Sequence, residues 1–299
     1  MATRPTTRFK ELVQARELLL LPGVHDALGM KLAQAAGFEA VISGGYSASA
    51  TLLGEPDTSQ LSYTEMRDYY GRLCESASLA VLADADTGFG GTVNVARTVR
   101  GYERAGVAAL LLEDQVFPKR CGHFAGKQVV SRAEFASKLK AALDARTDPD
   151  LVIVARTDAL AVRGFEEALE RMQMAREIGA DMLFIDALES VEQMRRFCRE
   201  TKGPRLVNLI EGGRTPMLAA RQLEEIGFSA ALYAIAPTYA AAFAIREVLQ
   251  ALRRDGSTAA VRDRLVSFDE FNELVGLPAL RDREQRLQAF GNRMARAGK

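Results

Sequence analysis

VAALLLEDQVFPKRCGH, residues 107–123, joins an unbroken apolar run to a loop crowded with reactive side chains. Val107–Leu112 offers no polar position on either face, the pattern of a strand covered on both sides in a parallel sheet. Glu113–His123 then packs an acid, a lysine, a cysteine and a histidine into one short loop, with Pro118, Gly122 and Gly126 shaping it. The same grammar recurs along the chain. Apolar runs at Leu18–Pro22, Ala40–Gly44, Leu79–Ala83, Ala108–Leu112, Leu151–Ala155, Met182–Ile185, Leu206–Leu209 and Ala230–Ile235 read as strands. Between them, Ala27–Ala36, Tyr63–Ser76, Asn94–Ala105, Arg132–Ala145, Phe165–Ile178, Val191–Thr201 and Leu218–Ile226 carry helical spacing. Gly37, Gly106, Gly179 and Gly227 follow helix ends, where a left-handed residue is wanted. Eight alternations predict an α/β fold, a (β/α)8 TIM barrel with extra C-terminal helices. A doubly wound open sheet is the structural alternative; no GxGxxG follows the first strand, which counts against a dinucleotide site.

The chain is read as one domain, 1–299, in which 238–299 forms a C-terminal helical extension suited to oligomerisation. Its expected pieces are Thr238–Arg254, Ala259–Val266, Asp269–Val275 and Leu280–Ala297, with Pro278 separating the last two. Lys plus Arg and Asp plus Glu balance at 39 each, so no basic field invites nucleic acid. Three scattered cysteines fit a reducing compartment, and no apolar run nears the roughly 18 residues a membrane helix needs. A cytoplasmic protein without nucleic-acid or membrane partners is expected.

In such a barrel the chemistry lies where strands end. Those positions hold His25 and Asp26; Gly44, Gly45, Tyr46 and Ser47; Asp84 and Asp86; Glu113 and Asp114; Arg156, Thr157 and Asp158; Asp186; Asn208 and Glu211; and Tyr233. Asp84, Asp86 and Glu113 come from adjacent strands and would repel one another without a cation, which favours a hard divalent metal. The plainer reading is that DADTG is an Asp-rich turn capping a helix. Cys121 lies among Lys119, Arg120 and His123, cations that favour the thiolate and proton transfer or attack, whereas Cys74 and Cys198 sit in helical segments as small apolar fillers. Arg156 directly follows a buried strand, a natural carboxylate binder. Lys119 reads as a neutraliser of substrate charge rather than a Schiff-base amine. His25 either joins the site or caps the following helix.

DADTGFG, LEDQ, KRCGH, ARTDA (155–159) and NLIEGG together resemble the isocitrate lyase and phosphoenolpyruvate mutase superfamily over nearly the whole chain. KRCGH points to its cysteine-bearing lyase branches, and NLIEGGRTP and FNELVGL resemble the 2-alkylmalate and dimethylmalate lyases more than the methylisocitrate lyases. The resemblance implies a Mg2+-dependent (or Mn2+-dependent) retro-aldol cleavage of a 2-hydroxy di- or tricarboxylate to an α-keto acid and a carboxylic acid. It places Asp84, Asp86 and Glu113 at the metal. Gly44, Gly45, Tyr46, Arg156, Asp186, Asn208 and Glu211 would line the substrate. Cys121 would be the general acid, tuned by His123 and Lys119, and Asp57 would lie near the keto-acid half. It also implies a homotetramer. Gly44, Asp186 and Ala234 depart from residues common in relatives and bear on which substrate fits. Oxaloacetate hydrolysis, a carboxyphosphonoenolpyruvate-type phosphonomutase and a non-catalytic keto-acid-binding barrel are the alternatives.

Overall fold

Strand residues alternate sides, and in this chain the alternation sorts the core into two layers. The computed structural model describes residues 3–119 and 126–297. Its strands are β1 Leu19–Pro22, β2 Ala40–Ser43, β3 Ala80–Asp84, β4 Ala109–Glu113, β5 Val152–Thr157, β6 Met182–Ile185, β7 Arg205–Asn208 and β8 Ala230–Tyr233. All pair in parallel, in the order β1-β8-β7-β6-β5-β4-β3-β2. The circle closes between β1 and β2 through a bridge from Gly23 to Ile42, with Val24 N–H donating to the Ile42 carbonyl at 2.9 Å. Only glycine fits that seam: a Cβ on Gly23 would lie 2.0 Å from the Ala234 carbonyl oxygen. The barrel expectation is thus met.

Inside the barrel, Leu21, Ile42, Leu82, Leu111, Val154, Phe184, Leu206 and Leu232 form one buried cluster, joined by Phe9 and Val13 of helix Pro5–Gln14. Outward positions such as Val81, Leu110, Ile153, Leu183 and Val207 pack with the helices in a second cluster. The runs are apolar throughout because each strand is buried on both faces.

Helix starts follow short polar caps. Asp26, not His25, caps Ala27–Ala35 by accepting from Gly29 N–H at 2.6 Å. Ser62, Ser131 and Ser190 do the same for Tyr63–Ser76, Arg132–Ala145 and Val191–Glu200. At helix ends Gly179 (φ 114°) and Gly227 (φ 110°) take the left-handed turn. Three helices were not read from the sequence: Pro5–Gln14, Gly45–Leu52 and Ala159–Arg163.

By compactness the chain divides into Met1–Ala240, which holds the barrel, and Ala241–Lys299. The second unit contains most of helix Ala236–Asp255, a 3-10 turn Ala259–Arg264, and helices Phe268–Leu274 and Leu277–Ala297. Pro278 was expected to separate helical pieces. It lies instead in the first turn of Leu277–Ala297, where its missing N–H costs no intrahelical bond. No described helix is long and apolar enough to cross a membrane.

Candidate active site

Two residues beyond the apolar inner layer, the same inward parity meets polar groups. Inward positions 82, 111, 154 and 184 are followed, two residues on, by Asp84, Glu113, Arg156 and Asp186. These line or adjoin a cavity of about 160 Å3 at the C-terminal ends of the strands. Ile42, Leu111, Phe184 and Leu232 contribute its apolar lining, with Gly44, Gly45, Tyr46, Asp57, Asp84, Lys119, Arg156, Asp186 and Asn208 also on the wall.

Lys119 is the hub. The residue is 3% exposed, and its ammonium sits 2.7 Å from Asp57 Oδ2, 2.8 Å from Asp86 Oδ1 and 4.0 Å from Asp84 Oδ2. Burial alone would lower its pKa, but Asp86, Asp84, Glu113 and Asp57 outweigh that and raise it well above the usual lysine value. Ser59 Oγ holds the Lys119 carbonyl at 3.1 Å. Gly45 leaves the room this needs, since a Cβ there would lie 3.0 Å from Nζ.

The acids are held by backbone and by tyrosines. Asp84 Oδ2 accepts from Gly45 N–H (3.2 Å) and Oδ1 from Asp86 N–H (2.9 Å). The Tyr70 hydroxyl accepts from Asp84 N–H and donates to the Ser43 carbonyl, both at 2.9 Å, tying the ends of β2 and β3. Burial keeps that hydroxyl protonated, with its pKa well above 10.0. Asp86 takes φ 47°, unusual for a residue with a Cβ, within a tight DADTGFG turn. Burial pushes its carboxyl up to about 7 against the pull of Lys119. Glu113, fully buried, is raised well above its usual value, again by burial before any charge effect.

Whether a divalent cation suits these residues can be read from their oxygens. Both Glu113 oxygens and Asp86 Oδ1 are buried without an aligned hydrogen bond among the described residues. Among the described residues Asp86 Oδ1 has a close ion pair with Lys119, and Glu113 Oε2 a 3.3 Å approach to Arg156. Among the described residues no three acids, histidines or cysteines converge into a ready cage. Magnesium needs none, because it binds through one or two carboxylates and keeps several waters. An all-oxygen, carboxylate-rich set with stranded acceptors fits such an ion.

Arg156 faces the cavity with its guanidinium over the Phe184 ring, 5.6 Å from the centroid. Asp158 grips it at 2.9 and 3.2 Å. Asp158 also accepts from Lys127 Nζ (2.8 Å). Despite burial, which would raise it, Arg156 and Lys127 hold its carboxyl down at about 2. Lys127 and Arg171 were not singled out from sequence, and Asp114 and Asp158 stood among the strand-end groups without an assigned role. The only hint was the acid that follows Glu113 in LEDQ and the one two residues past Arg156 in ARTDA.

The remaining expectations divide. Asp57, Gly44, Gly45, Tyr46, Asp186 and Asn208 are brought to the cavity; Asp186 Oδ2 and Asn208 Oδ1 are buried without hydrogen bonds among the described residues. Glu211 is not: it is exposed, and Ile210 lines the cavity in its place. His25 Nδ1 contacts Thr238 Oγ1 at 3.2 Å, away from the acids' hydrogen bonds. Cys121 and His123 lie outside the described residues. The neck of their loop is paired by Val116 N–H to the Gln128 carbonyl (2.8 Å) and Val130 N–H to the Asp114 carbonyl (2.9 Å). Burial pushes the Cys74 and Cys198 thiols up to about 12, as suits apolar fillers.

A model of the phosphoenolpyruvate phosphomutase family matches residues 9–253. The chain belongs to that family. It is 46% identical over 277 residues to a 2,3-dimethylmalate lyase of Eubacterium barkeri, covering 93% of this chain and 96% of that protein. Among solved structures, an oxaloacetate acetylhydrolase in complex with 3,3-difluorooxalacetate superposes with a TM-score of 0.90 at 34% identity, covering 95% of this chain and 97% of that one. A phosphonopyruvate hydrolase bound to oxalate and Mg2+ superposes with a TM-score of 0.86 at 31% identity, covering 95% and 99%. The superfamily read from KRCGH and its companion motifs is thereby established.

Proposed function

We propose that this protein is a magnesium-dependent carbon–carbon lyase. It cleaves a 2-hydroxy di- or tricarboxylate of the 2-alkylmalate or methylisocitrate type to an α-keto acid and a carboxylic acid. One observation carries the reading. Buried carboxylates surround the Lys119 ammonium beside Arg156 at the C-terminal mouth of the barrel, in a chain 46% identical to a 2,3-dimethylmalate lyase.

Asp84, Asp86 and Glu113 would hold the ion, partly through water, and manganese offers the same preference for oxygen. When bound, the ion supplies Lewis-acid polarisation of substrate oxygens. Arg156 orients a substrate carboxylate through its free N–H groups, and the Gly44–Tyr46 turn and Asn208 line the keto-acid half. The 2-hydroxyl loses its proton to a carboxylate of the buried cluster, and the C2–C3 bond breaks. C2 becomes the keto carbon, and the electron pair passes to C3 as an enolate-like carboxylate. Lys119, pinned by Asp57, stabilises that developing charge in a site shielded from water. Cys121 delivers a proton to C3, with His123 beside it in sequence. The helical extension 238–299 would serve assembly of a homotetramer.

The test is keto-acid release from 2-alkylmalates, 2-methylisocitrate and oxaloacetate with Mg2+, run beside Cys121→Ser. Release from a hydroxy acid that the variant loses supports the lyase. The TM-score of 0.90 with an oxaloacetate acetylhydrolase favours a second reading, hydrolysis of oxaloacetate, marked by oxalate as product. A folded protein silent on every substrate would overturn both.

A further inference from the structure

Arg156 meets three buried carboxylates. Its Nε and Nη2 reach the two oxygens of Asp158 at 2.9 and 3.2 Å, while Glu113 Oε2 lies 3.3 Å from Nη1 and Asp186 Oδ2 lies 3.4 Å from Nη2. Glu113 and Asp186 both keep an oxygen without an aligned hydrogen bond among the described residues, so either would accept the guanidinium if it swung. Asp158 alone, among the described residues, takes it with both oxygens, which fixes the plane of the fork as well as its position.

Asp158 is in turn fixed from behind. Its backbone N–H donates to Asp114 Oδ1 at 2.9 Å, and Lys127 holds its Oδ1 at 2.8 Å. Asp114 Oδ2 accepts from Thr157 Oγ1 (2.6 Å) and from Arg171 Nη1 (3.0 Å). Arg171 is 1% exposed and spends its other N–H groups on the Val130 carbonyl (2.9 Å) and Glu167 (2.8 Å). A continuous chain of charged contacts therefore runs from helix Phe165–Ile178 through Asp114 to the Asp158 backbone, and through the Asp158 carboxylate to Arg156.

We propose that Asp158, backed by Asp114 and Arg171, is a positioning residue that fixes the plane of the Arg156 fork and aims it into the cavity. The proposal rests on reading Arg156 as the binder of a substrate carboxylate. Asp158→Asn keeps the size of the side chain but turns one acceptor toward the guanidinium into an NH2 donor. The free N–H groups would then no longer meet a carboxylate in register.

The experiment is calorimetric titration with oxalate in the presence of Mg2+, alongside steady-state keto-acid release. It uses the wild type, Asp158→Asn, Arg156→Lys and the double variant. Asp158→Asn is expected to weaken oxalate binding and raise KM by about 10- to 100-fold, by analogy with the loss of an outer-shell partner of a metal ligand. In the Arg156→Lys background, where no fork remains to be aimed, the same change should cost no more than about twofold. A general structural role would weaken binding equally in both backgrounds and would overturn the proposal. So would unchanged binding by a folded Asp158→Asn. If that variant does not fold, Thr157→Val enters the same cycle; it removes the hydrogen bond to Asp114, with an expected loss of about 2- to 10-fold, and the 3.1 Å bond that Thr157 Oγ1 accepts from Ala159 N–H. Its loss must likewise vanish beside Arg156→Lys. Wild type that neither binds oxalate nor turns over substrate would instead overturn the reading of the site itself.

Discussion

Replacing Arg171 with methionine isolates the cost of a stranded charge. Arg171 is buried, and its guanidinium serves Asp114, Glu167 and the Val130 carbonyl together. Methionine fills much of the volume but leaves the Asp114 carboxylate buried, supported among the described residues by the Thr157 hydroxyl and the Asp158 N–H. Removing one member of a buried ion pair costs about 3–5 kcal/mol. At about 2–4 °C per kcal/mol for a large domain, the melting temperature should fall by about 6–20 °C. Adding Asp114→Asn removes the stranded charge, so the double variant should regain more than half of that loss. The pH dependence has a definite sign. Burial, with Asp158 adding to it, already raises the Asp114 carboxyl, and losing Arg171 raises it further. A folded-state carboxyl above its unfolded value takes up a proton as pH falls, so the deficit of Arg171→Met should shrink toward acid and widen toward alkali. Thermal melts followed by far-UV circular dichroism across pH read all three effects. A double variant melting below the single one, with a deficit insensitive to pH, would refute the stranded-charge argument.

Gly45→Ala should lower kcat by about tenfold or more, because its Cβ would stand 3.0 Å from Lys119 Nζ and displace it from Asp57; wild-type turnover would show that the lysine position does not matter. Glu167, gripped by Arg132 and Arg171, has its carboxyl held at about 2 instead of 4.5. A depressed acid stabilises above its unfolded pKa and loses that contribution as pH falls toward the folded value. Glu167→Gln should therefore melt below wild type at neutral pH, with a gap that narrows once the pH drops below 4.5; a constant gap would contradict this. Chelation by EDTA should abolish keto-acid release, and added Mg2+ should restore it. Full activity in chelator would remove the metal from the reading of Asp84, Asp86 and Glu113.

Much of this protein was legible in its sequence because the signals are local. Apolar runs, serine and aspartate caps and glycine stops depend on a few neighbouring residues, and they set out eight strands and most helices. Acids and an arginine just past those runs marked the mouth of the barrel. Strand parity explains why Asp84, Glu113, Arg156 and Asp186 reach the interior: each sits two residues past an inward apolar side chain, while Glu211 has left its strand and turned to solvent. Periodicity could not see Gly45–Leu52, whose buried face is glycine, serine and alanine with no apolar stripe, and Pro278 read as a break because position within a helix decides whether proline is tolerated. Only the tertiary structure joined Lys119 to Asp57 across 62 positions and Arg171 to Asp114 across 57. Such pairs carry no sequence period. Closure of the barrel buries their charges together, and burial makes each acid depend on the particular cation that folding brings beside it.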